Sequence, residues 1–186
     1  MTSKLWQSKL KLSCSNDVVD IIQFGSSTLE GSTPNDIDIA VFYKAIPLKE
    51  QLNQSQKLKR KLEKLTRLPV DIESFDWYSG LRQENFARED IFIYGKSLIS
   101  GKPFSQRFGF IPKIQIHYAL EKLPKKDKVR LHYQLRGKAG KYGLLKKYGG
   151  KLLCPGLIEF EPEFEDIFTK VVKEYTPDYS VRKALI

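Results

Sequence analysis

The chain has 186 residues, 41% hydrophobic and 29% charged, a globular composition with enough apolar side chains for a core. No apolar run approaches the roughly 18 residues of a membrane-spanning helix, and the N-terminal stretch MTSKLWQSKLKLSCSNDVVD lacks the apolar segment of a secretory signal, so a cytoplasmic protein without a membrane partner is expected. Its 32 Lys and Arg exceed its 22 Asp and Glu by ten, and the excess is local: residues 1–95 hold 13 of each sign, residues 96–151 hold 15 positive and 2 negative, and residues 152–186 hold 4 positive and 7 negative. A neutral part is joined to a strongly basic one, the electrostatic footprint of a polyanion-binding surface, most often for nucleic acid.

In chain order, residues 4–12 fit a short amphipathic helix. Asp17–Phe24 is β-branched and apolar and stops at Gly25, as a buried strand does. After a polar loop with Gly31 and Pro34, Asp36–Tyr43 alternates carboxylates with apolar residues at its start and predicts a strand with two faces. Leu48, Leu52, Leu58, Leu62 and Leu65 predict an amphipathic helix over residues 48–67. Pro69 stops that helix, and Val70–Phe75 is the third strand. Residues 81–89 suit a helix, and Ile91–Lys96 reads as a strand and turn. This order predicts an α/β (α+β) core over residues 1–100, with helices packed on its sheet.

Residues 101–186 read as a separate basic region. Lys113–Tyr118 and Val129–Arg136 both alternate strictly around a loop containing Pro124, which predicts a β-hairpin. Ile114, Ile116, Tyr118, Val129, Leu131, Tyr133 and Leu135 would face the core, and His117 and His132 would be polar cross-strand neighbours on the other face. A glycine-rich basic stretch, residues 136–143, follows. Pro162 and the spacing of Phe164, Ile167, Phe168, Val171, Val172 and Tyr175 predict a closing helix, ended by Pro177. Cys14 and Cys154 are too few and too far apart for a disulfide framework or a structural zinc site.

The chemistry concentrates in the first half. Gly25 lets backbone approach a ligand where a side chain would block it, and Ser26 adds a hydroxyl suited to phosphate oxygens. Asp36 and Asp38, two apart on a strand, share a face, where they repel each other unless a cation lies between them. Mg²⁺ takes such carboxylates together with substrate phosphates. Asp71 on the next strand brings a third carboxylate to the same edge, which completes the residue set of a two-metal phosphoryl-transfer site. Glu73, two residues on, shares that face and competes for the third role.

Phe24-Gly25-Ser26, Asp36-Ile37-Asp38 and the later Asp71 together resemble the signature of the polymerase-β-type nucleotidyltransferase superfamily, over roughly residues 15–100. Ile91–Lys96 resembles the end of its minimal domains. The resemblance implies a mixed sheet, a nucleoside triphosphate such as ATP as substrate, and two Mg²⁺ ions, for which Mn²⁺ can substitute. It implies that Asp36 and Asp38 hold both metals. Asp71 would bind the catalytic metal and assist deprotonation of the acceptor hydroxyl, and Gly25 and Ser26 would bind the triphosphate. Many members carry an arginine after the glycine-serine pair; Ser27–Gly31 has no basic residue here, so the helix at Lys57–Lys64 or the basic half must supply that charge.

The expected activity is therefore transfer of a nucleoside monophosphate to an acceptor hydroxyl, with a nucleic-acid 3′ end (RNA or DNA) the best acceptor. Lys113, Arg130, Arg136, Lys138, Lys141, Lys146 and Lys147 are the candidate phosphate contacts. The alternatives are AMP transfer to a partner protein, as in antitoxin-like members, and a non-catalytic nucleic-acid-binding module.

Overall fold

The computed structural model describes residues 4–8, 15–82, 87–138 and 141–186, and they form two compact units. The first comprises Met1–Thr28 with Ser32–Ile111, and the second Leu29–Gly31 with Pro112–Ile186.

In the first unit β1 (Val18–Phe24) runs antiparallel to β2 (Ile37–Tyr43). The helix α1 (Leu48–Leu62) then carries the chain across to β3 (Val70–Asp76), which is parallel to β2 and therefore needs such a crossover. After α2 (Arg88–Tyr94), the two-residue β4 (Lys96–Ser97) pairs antiparallel with β1, giving a mixed sheet of order β3-β2-β1-β4. Both faces of β2 are buried. Ile37, Ile39, Val41 and Tyr43 pack with Leu62 and Val70, while Ala40 and Phe42 pack with Phe24, Ile91 and Phe104.

Three sequence expectations change here. The N-terminal helix appears as a 3-10 turn over Leu5–Ser8, and the rest of that stretch lies outside the described residues. Helix α1 stops at Leu62 and buries only part of the stripe its spacing singles out: Leu62 is buried and Leu58 packs against the core, but Leu48 and Leu52 are 65% and 52% exposed. Its buried positions are Gln51, Ser55 and Leu62, and Ser55 Oγ lies 2.8 Å from the Tyr43 hydroxyl and 2.7 Å from Ser74 Oγ, so this polar stripe satisfies itself. Ile91–Tyr94 is helical rather than a strand. A four-residue apolar run fits either period; Glu89 and Asp90 in the first turn favour a helix start, and Gly95 ends it by donating its N–H to the Ile91 carbonyl at 3.0 Å.

Residues 101–111, expected with the basic half, belong to the first unit. Phe104 is fully buried against Phe42, with ring centroids 5.3 Å apart. Arg107 reaches the buried Asp20 at 3.1 Å, whose other oxygen accepts from Ser97 Oγ at 2.7 Å and the Ile21 N–H at 2.8 Å.

The second unit contains β5 (Pro112–Tyr118), with Ile114, Ile116 and Tyr118 buried as the alternation predicts. The hairpin does not form: Lys125–Arg136 is the helix α3. Two of its apolar residues, Leu131 and Leu135, are also four apart, so they share a helical face and both are buried, while Val129 and Tyr133 are 43% and 44% exposed. Pro124 precedes the helix, where no donor is missed, and Leu, Arg, Lys and Gln favour helix over strand. After α4 (Leu144–Lys147) come β6 (Lys151–Cys154) and β7 (Leu157–Phe160), then α5 (Glu165–Lys173) and β8 (Tyr179–Leu185). β5 pairs with β7 and β8, and the antiparallel order is β6-β7-β5-β8. The periodicity of α5 holds: Phe168, Val171 and Val172 are buried, and Phe168 stacks on Phe160 at 4.2 Å. The protein is thus a mixed α+β chain with one mixed and one antiparallel sheet.

Helix and hairpin give opposite expectations for two neighbouring residues. Leu131→Ala should destabilise the second unit by about 2–4 kcal/mol, whereas Val129→Ala should change stability by no more than about 0.5 kcal/mol. Urea unfolding of both variants checks this, and equal losses would restore the hairpin.

Candidate active site

β1 ends at Phe24, whose register partner on β2 is Asp38. The chain then turns through a 3-10 segment, Gly25–Thr28. Gly25 has φ +69°, and a Cβ there would collide with Asp38 Oδ2, so only glycine allows this carboxylate to lie against the turn. The turn is fastened by side chains that the sequence reading passed over. Thr28 Oγ1 donates to the Gly25 carbonyl at 2.8 Å, Ser27 Oγ donates to the Phe24 carbonyl at 3.2 Å, and Gln23 Nε2 donates to Ser27 Oγ at 2.8 Å. Ser26 is exposed, and its carbonyl accepts from Ser32 Oγ at 2.7 Å.

Asp38 is the register partner of Asp71 across the parallel β2–β3 pair, and Ala40 is that of Glu73. Asp38, Asp71 and Glu73 therefore face the same side of the sheet, and Asp36 immediately precedes β2. Burial, then the charges of Asp36, Asp71, Glu73 and Asp90, raise the Asp38 carboxyl above its ordinary value. Burial likewise raises Glu73. Asp90, in the first turn of α2, is a member of this acidic edge that spacing along the sequence did not suggest, because a helix outside the motif brings it in. Lys59 of α1 approaches Asp71 Oδ1 at 3.5 Å, so the lysine-rich helix does place a cation at this edge.

The donors are hard carboxylate oxygens, right in kind for Mg²⁺, and their mutual repulsion gives the edge an excess affinity for a proton or a cation. Among the described residues, no three carboxylate, His or Cys side chains stand together as a finished ligand set.

The basic candidates all lie in the second unit and are not equivalent. Lys113 of β5 is bound to Glu161 at 2.6 Å, and Arg130 of α3 lies 3.7 Å from Asp127. Arg136, Lys138, Lys141, Lys146 and Lys147 have no ion pair among the described residues; Lys138, Lys146 and Lys147 lie over the rings of Tyr133, Tyr142 and Tyr148 at 5.5, 4.0 and 4.8 Å. His117 on β5 faces Leu157 and Ser180, and His132 is on α3, so they are not cross-strand neighbours. Comparison with protein-family models, curated proteins and solved structures finds no match for this chain.

The raised Asp38 carboxyl has a measurable consequence. The native state holds that proton more tightly than the unfolded chain, so below 3.8 both states are protonated and nothing is lost. As pH rises through the raised native value, the unfolded chain ionises more readily and stability falls. Asp38→Asn should therefore melt with wild type at low pH and above it at about pH 7. Melting temperatures across this range check the sign; a gap that does not widen with pH would contradict the electrostatic reading.

Proposed function

We propose that this chain is a metal-dependent nucleotidyltransferase that moves a nucleoside monophosphate from a triphosphate to an acceptor hydroxyl. One observation carries the reading: Asp38 and Asp71 are in-register partners on parallel strands, on one face, with the positive-φ Gly25 turn closed against Asp38. Gly25 keeps the turn free of a side chain where phosphate oxygens would approach, and Ser26 offers its hydroxyl beside it. Asp36, Asp38 and Asp71 would hold divalent ions, which when bound neutralise phosphate charge and lower the acceptor's hydroxyl pKa. Asp71, with its side chain 67% exposed, is the carboxylate best placed to receive the acceptor's proton. Lys59 offers positive charge to the triphosphate in place of the absent arginine. The acceptor oxygen attacks the α-phosphorus in line, the bond to the β-phosphate oxygen breaks, and pyrophosphate leaves.

The acceptor is taken to be a nucleic-acid hydroxyl because five of the seven candidate cations have no ion pair among the described residues. At roughly 0.7 per neutralised phosphate, they should give single-strand affinity a log–log salt slope of at least about 3.

Labelled triphosphates offered with Mg²⁺, RNA, DNA and protein test the reading. Wild type should label nucleic acid, while Asp36→Asn and Asp38→Asn should each lose transfer by about 100-fold or more. Strand binding by both variants should persist, and Mg²⁺ should raise the melting temperature of wild type more than that of Asp38→Asn. Label in protein would redirect the reading to AMP transfer. No label in either, with no stabilisation by Mg²⁺, would leave a non-catalytic binding module.

A further inference from the structure

The second unit holds a cleft of about 290 Å³, small on the scale of ligand pockets and matched to one planar group rather than to an extended molecule. Tyr118, Leu120, Leu131, Leu135 and the Pro155-Gly156 turn form its apolar walls. Gly156, at φ +86°, presses the β6–β7 turn against β5: a Cβ there would stand 2.8 Å from the Tyr118 carbonyl. A proline followed by a positive-φ glycine is the pattern of a type II turn, which keeps this wall short.

The polar part of the lining is basic. Lys128, His132 and Arg136 are each four residues apart on α3, so they form one stripe along the cleft, about 6 Å apart along the helix axis. None of the three has an ion pair among the described residues, although neighbouring Arg130 and Lys122 do. Among the described residues no carboxylate lines the cleft, and burial raises the Tyr118 phenol, keeping it neutral.

We propose that this cleft takes one unstacked base of a single-stranded nucleic acid, with the adjoining phosphates laid along Lys128, His132 and Arg136. An apolar slot for one ring bordered by Lys128 and Arg136, with the His132 ring between them as a hydrogen-bonding group, matches a strand, which carries one ring and one charge per nucleotide. An acidic peptide has no such obligatory alternation. The inference rests on nucleic acid being the partner, as the proposed function has it, but not on the transfer chemistry. It moves the main contact from the loop and sheet lysines to one face of α3.

The test is fluorescence anisotropy with a labelled single strand of about ten nucleotides. A matched strand without bases is the second probe. Lys128→Ala with Arg136→Ala should weaken binding about tenfold or more and lower the salt slope by about 1.4, two phosphates' worth. The charge-matched control, Lys125→Ala with Lys126→Ala, should weaken it less than about threefold. Wild type should bind the base-free strand about tenfold more weakly. Leu120→Trp, which fills the cleft, should lose about tenfold on the normal strand and little on the base-free one. Equal losses from the two double variants would overturn the stripe. Equal wild-type affinity for the two strands, or displacement by polyglutamate as effective as by unlabelled strand, would overturn the base slot, and this comparison stands even if Leu120→Trp misfolds. Failure of wild type to bind any strand overturns the proposal outright. Transfer is scored separately: wild type that binds strands but labels none of them faults the catalytic reading and not this one.

Discussion

The parallel register of β2 on β3 is the constraint on which the first unit depends. Seven consecutive pairs, from Ile37 with Val70 to Tyr43 with Asp76, are aligned without a bulge. Side chains alternate along a strand, so a slip by one residue would exchange the faces of the whole strand. β2 cannot accept that exchange, because it buries Ile37, Ile39, Val41 and Tyr43 in one core and Ala40 and Phe42 in another. Apolar burial on two sides thereby fixes where carboxylates appear. Asp38 is set level with Asp71 because the isoleucines on either side of it are both fully buried.

That placement runs against local electrostatics. Asp38 is partly buried and surrounded by like charge, and the turn before it needs a left-handed backbone at Gly25. Neither feature stabilises the free protein. The turn is fastened by hydrogen bonds of Gln23, Ser27 and Thr28, and Asp38 is held in place by the buried isoleucines on either side of it. A left-handed turn and like-charge repulsion at one strand edge are what the proposed ligand would use.

The second unit divides its charges differently. Lys113, Lys122 and Arg130 are matched with Glu161, Asp178 and Asp127, so part of the basic character is spent within the fold. Among the described residues, Lys128 and Arg136 border the α3 cleft without an ion pair, and Lys138, Lys146 and Lys147 lie over tyrosine rings. Net charge alone would not separate these two populations.

Much of the first unit was legible because its signals are local. Continuous β-branched runs, a proline stop and a glycine at a strand end fix β1, β2, β3 and the turn at Gly25, and carboxylates two apart on a strand must share a face. The second unit was not legible in the same way. Leu131 and Leu135 fit a strand as well as a helix, being separated by an even number that is also one helical turn, and only packing chooses between them. The partners of β5 lie some 40 and 65 positions further along the chain, and no local pattern encodes such pairing. Asp90 joins the acidic edge, and Lys128, His132 and Arg136 border a cleft, for the same reason. The sequence by itself determined β1, β2, β3 and the carboxylates that share their face, because those choices depend on neighbours along the chain. The tertiary structure decided which charges are matched and which remain available, because that depends on neighbours in space.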